Sequence, residues 1–217
     1  MTVDLERILL GGPDDSPARR DTPLTALPKI ARNFDEIEQR LLLPFPGLTI
    51  PVRPSRFYLP VTIVDGSGTN AVAANTVYYL PHYLPRQVIN RIAIGVTSGA
   101  AGLGQVALFE DDGSGAPGDL IVAGGTVDTT NTGTPEASID PIQLPDGLFW
   151  AAAVFNATPT LRNGTPANTY LIGAGSLGST IRGYSATFTY GEFPDAAPLT
   201  SLISSGSAPI IALRMVP

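Results

Sequence analysis

The amino-acid sequence predicts an all-β protein, a β-sandwich or jelly roll of about ten short strands, preceded by an N-terminal extended arm and one short amphipathic helix. Three observations lead to this prediction. The 217 residues include 23 glycines and 21 prolines without a collagen period, which is typical of many strands joined by turns. Several apolar stretches alternate with a period of two. No helical periodicity follows Leu43.

Residues 1–56 are predicted to anchor the chain and to support oligomerisation. The polar run GGPDDSPARRDTP predicts an arm that needs another surface to lie on, because it has too few apolar residues to bury. The segment LTALPKIARNFDEIEQRLLLP predicts a helix, since Ile30, Phe34, Ile37 and Leu41 recur at spacings of four, three and four. Prolines in PFPGLTIPVRP then predict an extended connector.

The apolar stripe of this helix has two interpretations. It packs against the β domain of its own chain as an ordinary amphipathic helix, or it forms a short self-associating bundle, because the spacing is the start of a heptad pattern. Two heptads are too few for an independent coiled coil, so the helix needs the rest of the molecule or a larger particle.

Residues 57–217 are predicted to form the β-sandwich domain. In one stretch Ile92 and Ile94 point to one face and Ala93 to the other, and the run GLFWAAAVFN is apolar on both faces, as a strand in the middle of a core would be. Trp150 in that run is expected in the core. The candidate strands are residues 57–64, 72–80, 91–97, 105–110, 120–126, 137–144, 147–156, 169–174, 182–190 and 210–216.

Composition excludes several classes of function. The chain has no cysteine and one histidine, so disulfides, thiolate sites and cysteine nucleophiles are excluded, and neither a metal nor a cofactor is expected. Residues 1–56 hold eight Lys/Arg and eight Asp/Glu, so the net charge of −6 lies in residues 57–217. An acidic domain is a poor partner for phosphate backbones, so no nucleic-acid binding is expected. No uncharged apolar run approaches 18 residues, so no membrane insertion is expected.

Two glycine-rich motifs partly match signatures of nucleotide binding and of catalysis, but each lacks an element that the signature requires. GAGSLG, residues 173–178, matches G-x-G-x-x-G, but the sequence after it does not predict the helix that a phosphate site requires. Ser176 resembles a nucleophile elbow, but the histidine, His82, lies upstream of it, which is not the hydrolase order. We therefore predict that the chain has no catalytic residues and is not an enzyme.

The acidic stretch EDDGSGAPGD, Glu110 to Asp119, has the strongest appearance of a functional loop. Its carboxylates do not have EF-hand spacing, and adjacent acids on a turn lack the apolar pocket that a glycosidase acid needs. Calcium held by Asp111, Asp112 and backbone carbonyls stays an alternative. The favoured interpretation is a corner between two strands, because Asp and Gly begin turns.

The run YYLPHYLPRQ places aromatic residues close together. Tyr79, His82 and Tyr83 are the candidate contacts for a glycan, since a flat ring meets the C–H face of a sugar. The alternative is ordinary packing in a core or at a sheet edge, and the flanking prolines predict that His82 lies in a surface loop.

Residues 90–162 resemble a β-sandwich module of tailed-phage virion proteins, particularly fibres and spikes, and the closing segment of the chain resembles that of such proteins, so that the resemblance covers most of residues 90–217. The resemblance rests on a strand reading RIAI, on ALFEDDGSGAPGDLIVAGGTVD, on the polar TNTGT, on LPDGLFWAAAV, and on the closing segment GYSATFTYGEFPDAAP…SAPIIALRMVP. The resemblance is specific to the sequences of these strands and turns, and none of these stretches contains a catalytic motif.

This resemblance implies a location in the virion and a homotrimer. It implies a short tail or head fibre or spike subunit, anchored through its N-terminus on capsid, portal or tail proteins, whose sandwich attaches to a host-surface polysaccharide or docks another fibre protein. The alternative is a purely architectural capsid or tail decoration or connector protein with no glycan binding. The chain ends just after its last predicted strand, so no long shaft is expected.

Overall fold

The computed structural model describes residues 55–61, 66–164, 181–198, 201–204 and 208–215. Within these residues the protein is an antiparallel β-sandwich, which confirms the predicted fold class. The predicted arm and the predicted helix, with Ile30, Phe34, Ile37 and Leu41, lie outside the described residues. The same part of the chain contains no helix that is both long enough and apolar enough to span a bilayer.

Thirteen strands occur in the described residues, and most of them follow the predicted positions. They are β1 (Phe57–Tyr58), β2 (Gly68–Ala71), β3 (Thr76–Leu84), β4 (Gln87–Ile94), β5 (Val96–Ser98), β6 (Leu103–Asp111), β7 (Pro117–Asp128), β8 (Glu136–Leu144), β9 (Gly147–Phe155), β10 (Thr160–Asn163), β11 (Ile181–Thr187), β12 (Ser201–Ser204) and β13 (Ile211–Met215). The sequence did not predict β2, β10 and β12, and the strand predicted at 169–174 lies outside the described residues.

Two large sheets form the sandwich. One has six strands in the order β12-β11-β3-β9-β6-β7, and the other has four strands in the order β1-β13-β4-β8. A small third sheet has the order β2-β10-β5. Strand β7 is one edge of the six-stranded sheet and β8 is one edge of the four-stranded sheet, and these two strands contact each other along one side of the sandwich.

The main core lies between the two large sheets. It takes Val106 and Leu108 from β6 of the six-stranded sheet, and Ile92 and Ile94 from β4 of the four-stranded sheet. All four are at most 1% exposed, and full burial of such a side chain is worth roughly 1.5–3 kcal/mol. The period of two that the sequence shows is therefore the alternation between this core and the opposite faces.

A second core covers the outer face of the six-stranded sheet. Ala107, Phe109 and Trp150 belong to it and are fully buried. Phe193 packs edge-to-face on Phe109, with ring centroids 5.8 Å apart. Because Phe193 follows β11, the chain after β11 returns over the sheet that β11 belongs to.

The segment that supplies this cover, residues 188–197, is attached at both of its ends. At one end the backbone N–H of Phe188 donates to the carbonyl of Asn75 (2.9 Å). Asn75 has a φ of 55°, in the left-handed region that asparagine tolerates better than most residues. At the other end Leu120 N–H donates to the carbonyl of Asp195 (2.8 Å), so the segment also pairs with the edge strand β7.

Candidate functional site: the cleft at the β8–β9 turn

The three predicted glycan contacts lie on β3 and do not share one surface. Side chains alternate along a strand, so Tyr79 and Tyr83 point to the outer face of the six-stranded sheet and His82 points between the sheets. Tyr79 and His82 are both 0% exposed, and Tyr83 is partly buried. In this structure the three side chains therefore do not form a sugar-stacking platform, because two of them are covered and they occupy opposite faces.

The prediction that His82 lies in a surface loop is wrong. His82 is in β3, and its Nε2 lies 2.9 Å from the carbonyl oxygen of Ile211 in β13. That hydrogen bond joins the two large sheets through the core, while Nδ1 has no hydrogen-bond partner among the described residues. Burial lowers the pKa of His82 to about 4, against a smaller opposing effect of the Ile211 hydrogen bond, so the ring is neutral near pH 7 and Nε2 is the donor.

Tyr83 is the member of the predicted set that keeps some contact with solvent. It is paired across the sheet with Leu148, the second residue of β9. Partial burial and then the nearby negative charge of Asp146 raise the pKa of its hydroxyl. Tyr83 therefore lies next to the β8–β9 turn, where Asp146 is found.

The acidic stretch is the connection between β6 and β7, as the sequence predicts. Asp111 accepts a hydrogen bond from Gly113 N–H (2.8 Å), and Asp112 accepts one from Ser114 N–H (2.7 Å). Gly113 has a φ of 84°, which favours glycine. The hydroxyl and backbone N–H of Ser114 lower the pKa of Asp112, so both aspartates are used as acceptors for the turn.

Asp111 also connects this turn to the covered face of the six-stranded sheet. Its Oδ2 accepts a hydrogen bond from Trp150 Nε1 (2.9 Å). Tyr184 packs edge-to-face on Trp150 with centroids 5.3 Å apart, and its hydroxyl donates to the carbonyl of Gly115 (3.3 Å). Gly115 N–H also donates to Asp111 Oδ1 (3.4 Å). With two backbone donors and one indole donor on it, Asp111 has little acceptor capacity left for another ligand.

A cleft of about 340 Å³ opens beside this turn, where the edge strands of the two large sheets meet. Its apolar lining comes from both sheets and from the β8–β9 turn, and its polar lining consists of carboxylates and one amide. The lining residues are Glu110, Asp111, Ile121, Ile142, Gln143, Leu144, Pro145, Asp146, Gly147, Leu148 and Phe149.

Arg86, the residue before β4, makes hydrogen bonds to two residues of the cleft lining, Asp146 and Gln143. Its backbone N–H donates to Asp146 Oδ1. With its amide oxygen turned toward Arg86, Gln143 accepts hydrogen bonds from Nε (2.9 Å) and Nη2 (3.1 Å). The guanidinium is therefore engaged by an amide, and the described residues contain no ion pair between Arg86 and Asp146.

The other functional motifs of the sequence are not brought to this cleft. GAGSLG with Ser176 lies outside the described residues. Among the described residues there is no group of three or more acidic or histidine side chains placed to share a metal ion. Sequence reasoning missed the cleft; the available signal was the turn LPDG, which places Asp146 directly before the first residue of β9.

Comparisons with known proteins do not assign the chain to a family. No protein family and no curated protein matches the sequence. Among solved structures, a clostridial cysteine protease, Cwp84 after propeptide cleavage, is similar with a TM-score of 0.47 and 13% identity, over 78% of this chain and 42% of that one. The chain thus spans less than half the length of that protease, and a likeness this weak carries no argument about function.

Proposed function

We propose that this chain is a structural subunit of a tailed-phage virion. It is a short head or tail fibre or spike subunit that residues 1–56 anchor on the particle, and its sandwich attaches to a host-surface glycan or docks another fibre protein. What carries the proposal is the resemblance of residues 90–217 to fibre and spike modules. The parts of the sequence that carry this resemblance most specifically form β4, the β6–β7 hairpin and the β8–β9 hairpin. All three contribute side chains to the main core.

The test is detection of the chain in particles. Tailed particles purified from cells that carry this gene are digested, and peptides of residues 57–217 are measured by mass spectrometry. The peptides are expected at a constant ratio to the major capsid protein after density-gradient purification. Particles that lack them, while the chain is present in the lysate, would contradict a virion location.

Trimerisation through the predicted helix is tested separately. Light scattering of the full chain is expected to give three times the 22.6 kDa of one chain. The double change Ile37→Asp with Leu41→Asp is expected to give a monomer, because it places two carboxylates in the apolar stripe. The control is Arg32→Asp with Gln39→Asp on the opposite side of the predicted helix, which is expected to keep the trimer although it lowers the net charge by three, against two for the test variant. A monomeric parent chain would contradict the trimer.

The second candidate function is architectural, with no glycan bound. The burial of Tyr79 and His82 favours it, since a sugar needs an exposed ring face. A glycan array with the full chain separates the two candidates: saturable binding favours attachment, and uniform absence of binding favours architecture. We propose no catalysis for either candidate, and release of reducing ends from host polysaccharide would contradict that.

A further inference from the structure

The cleft at the β8–β9 turn has two chemically different parts. Its apolar lining, called the floor below, includes Ile121 from β7, Ile142 and Leu144 from β8, and Leu148 and Phe149 from β9. Its polar side chains are three carboxylates and one amide. A volume of about 340 Å³ lies at the lower end of the range for ligand sites, which is roughly 300–1,000 Å³.

The carboxylates of the cleft differ in their remaining capacity to accept hydrogen bonds. Asp111 already accepts from the turn and from Trp150. Asp146 accepts one bond from Arg86 N–H, which leaves its second oxygen. Glu110 is exposed and makes no hydrogen bond or ion pair with the described residues. A ligand in the cleft therefore meets two carboxylates, Glu110 and Asp146, that still have acceptor capacity.

We propose that this cleft binds a lysine or arginine side chain of a partner protein. The aliphatic stem lies on the apolar floor, and the charged head reaches Glu110 and Asp146, which is how such side chains divide between apolar surface and polar surroundings. The inference rests on the proposed function in one respect: the partner is then another virion protein. The chemistry of the cleft does not depend on that assignment.

The lining favours a basic side chain over a sugar ring. The ring in the lining, Phe149, is 6% exposed and packs into the main core, so it offers no face for stacking. An acidic sugar would meet Glu110, Asp111 and Asp146 with the same sign of charge. An aliphatic stem with a cationic end matches both an apolar floor and an acidic rim.

Arg86 at the rim does not neutralise the cleft. Its guanidinium is engaged by the Gln143 amide, and three carboxylates against one cation leave an excess of negative charge. The whole domain carries the net charge of −6 as well. Any basic peptide is therefore attracted to it non-specifically, and a decisive experiment must separate that attraction from binding in the cleft.

The experiment uses the full-length protein and a blocked nonapeptide that contains two lysines among glycines and serines. The comparison probes are the same peptide with glutamine in place of lysine, and the monosaccharides glucosamine and glucose. Titrations are followed by calorimetry at low and at physiological ionic strength. The lysine peptide is expected to bind at least about tenfold more tightly than the glutamine peptide, and more weakly as salt screens the charges.

Two double variants locate the binding. Glu110→Gln with Asp146→Asn removes two charges from the cleft and keeps the side-chain shapes, including an acceptor for Arg86 N–H. Asp140→Asn with Glu192→Gln removes the same charge from exposed positions outside the cleft lining. The cleft variant is expected to lose about tenfold in affinity, and the control is expected to stay within about twofold of the parent chain.

Each other result overturns the inference. Equal binding of both peptides, absence of binding, or equal losses in the two variants would leave only non-specific attraction. Glucosamine that saturates the cleft while the lysine peptide does not would make the ligand an amino sugar. The melting temperatures of both variants establish that they fold. Detection of the chain in particles is independent of these titrations, so the two proposals fail separately.

Discussion

The two large sheets of the sandwich use their outer faces in opposite ways. In the six-stranded sheet the central strand β9 is covered on both sides, and every residue from Phe149 to Phe155 is buried. In the four-stranded sheet the outer face carries Arg91 and Arg214, which both pair with Glu136, and all three side chains stay partly exposed. The difference indicates that apolar burial around β9 supplies most of the stability and that the polar row contributes little.

Truncation of Trp150 is the strongest test of this comparison. Trp150 is fully buried in β9, contacts Tyr184 and donates to Asp111. Trp150→Ala is expected to lower the free energy of unfolding by about 3–5 kcal/mol, because it leaves a cavity and an unpaired acceptor. Urea unfolding followed by circular dichroism measures the loss. A loss below about 1 kcal/mol would mean that the outer core is loosely packed.

The position of β9 was predictable because its sequence is apolar on both faces. The run GLFWAAAVFN leaves no polar side for solvent, so it fits only a strand between two covered faces. The short strands β2 (GTNA) and β10 (TLRN) carry no such signal. They are strands because β10 lies between β2 and β5, and pairing partners far apart in the sequence are not visible in the local pattern.

The second test uses the hydrogen bond between His82 and the Ile211 carbonyl, which joins the two large sheets. It measures how the stability of the protein depends on pH. The folded protein lowers the pKa of His82 from 6.5 to about 4. Between these values the unfolded chain binds a proton that the folded chain does not, so the free energy of unfolding falls as the pH falls. The contribution is complete above pH 6.5, and about 2 kcal/mol of it is lost at about pH 5.

The control for this prediction is His82→Gln, which keeps a donor for the Ile211 carbonyl and does not titrate. Chemical unfolding of the parent and the variant at about pH 7.5 and pH 5 measures the difference between their pH dependences. The lowered pKa values of Asp112 and Asp128 lie below this window and affect both proteins equally. A variant that loses as much stability as the parent would show that His82 does not report on the sheet junction.

The burial of His82 was not predictable because two prolines flank it. Proline is expected in loops or at sheet edges, since it has no N–H. The structure meets that condition inside β3: Pro81 pairs with Trp150 on one side, and its carbonyl accepts from Val61 N–H (2.9 Å) on the other. The pairing of β11 with β3 ends at Tyr79, so the missing N–H of Pro81 interrupts no bond to that strand.

The cleft was not predictable from the sequence either, because its lining residues come together only through strand pairing. Glu110 and Asp146 are 36 positions apart in the chain, and neither belongs to a recognised motif. Both line the cleft because β9 pairs with β6, which places Phe149 beside Glu110, and because Asp146 directly precedes β9. The turn at Asp146 was readable locally, whereas the position of Glu110 beside β9 follows only from the strand order.

The polar row of the four-stranded sheet gives the smallest expected effect and the closest contrast with Trp150. Glu136 lies 2.8 Å from Arg214 and 3.4 Å from Arg91, and the two arginine side chains are 30% and 40% exposed. Glu136→Gln is expected to cost about 0.5 kcal/mol, because exposed ion pairs are screened by water and gain little.

Urea unfolding at low and at high salt measures this cost and its origin. A small cost that disappears in about 1 M salt would mean that the row acts through screened charge alone. A cost near that of Trp150→Ala, or one independent of salt, would contradict the contrast between the sheets. The outer face of the four-stranded sheet would then stabilise the fold through specific hydrogen bonds, and the sandwich would depend on both of its sheets to a similar degree.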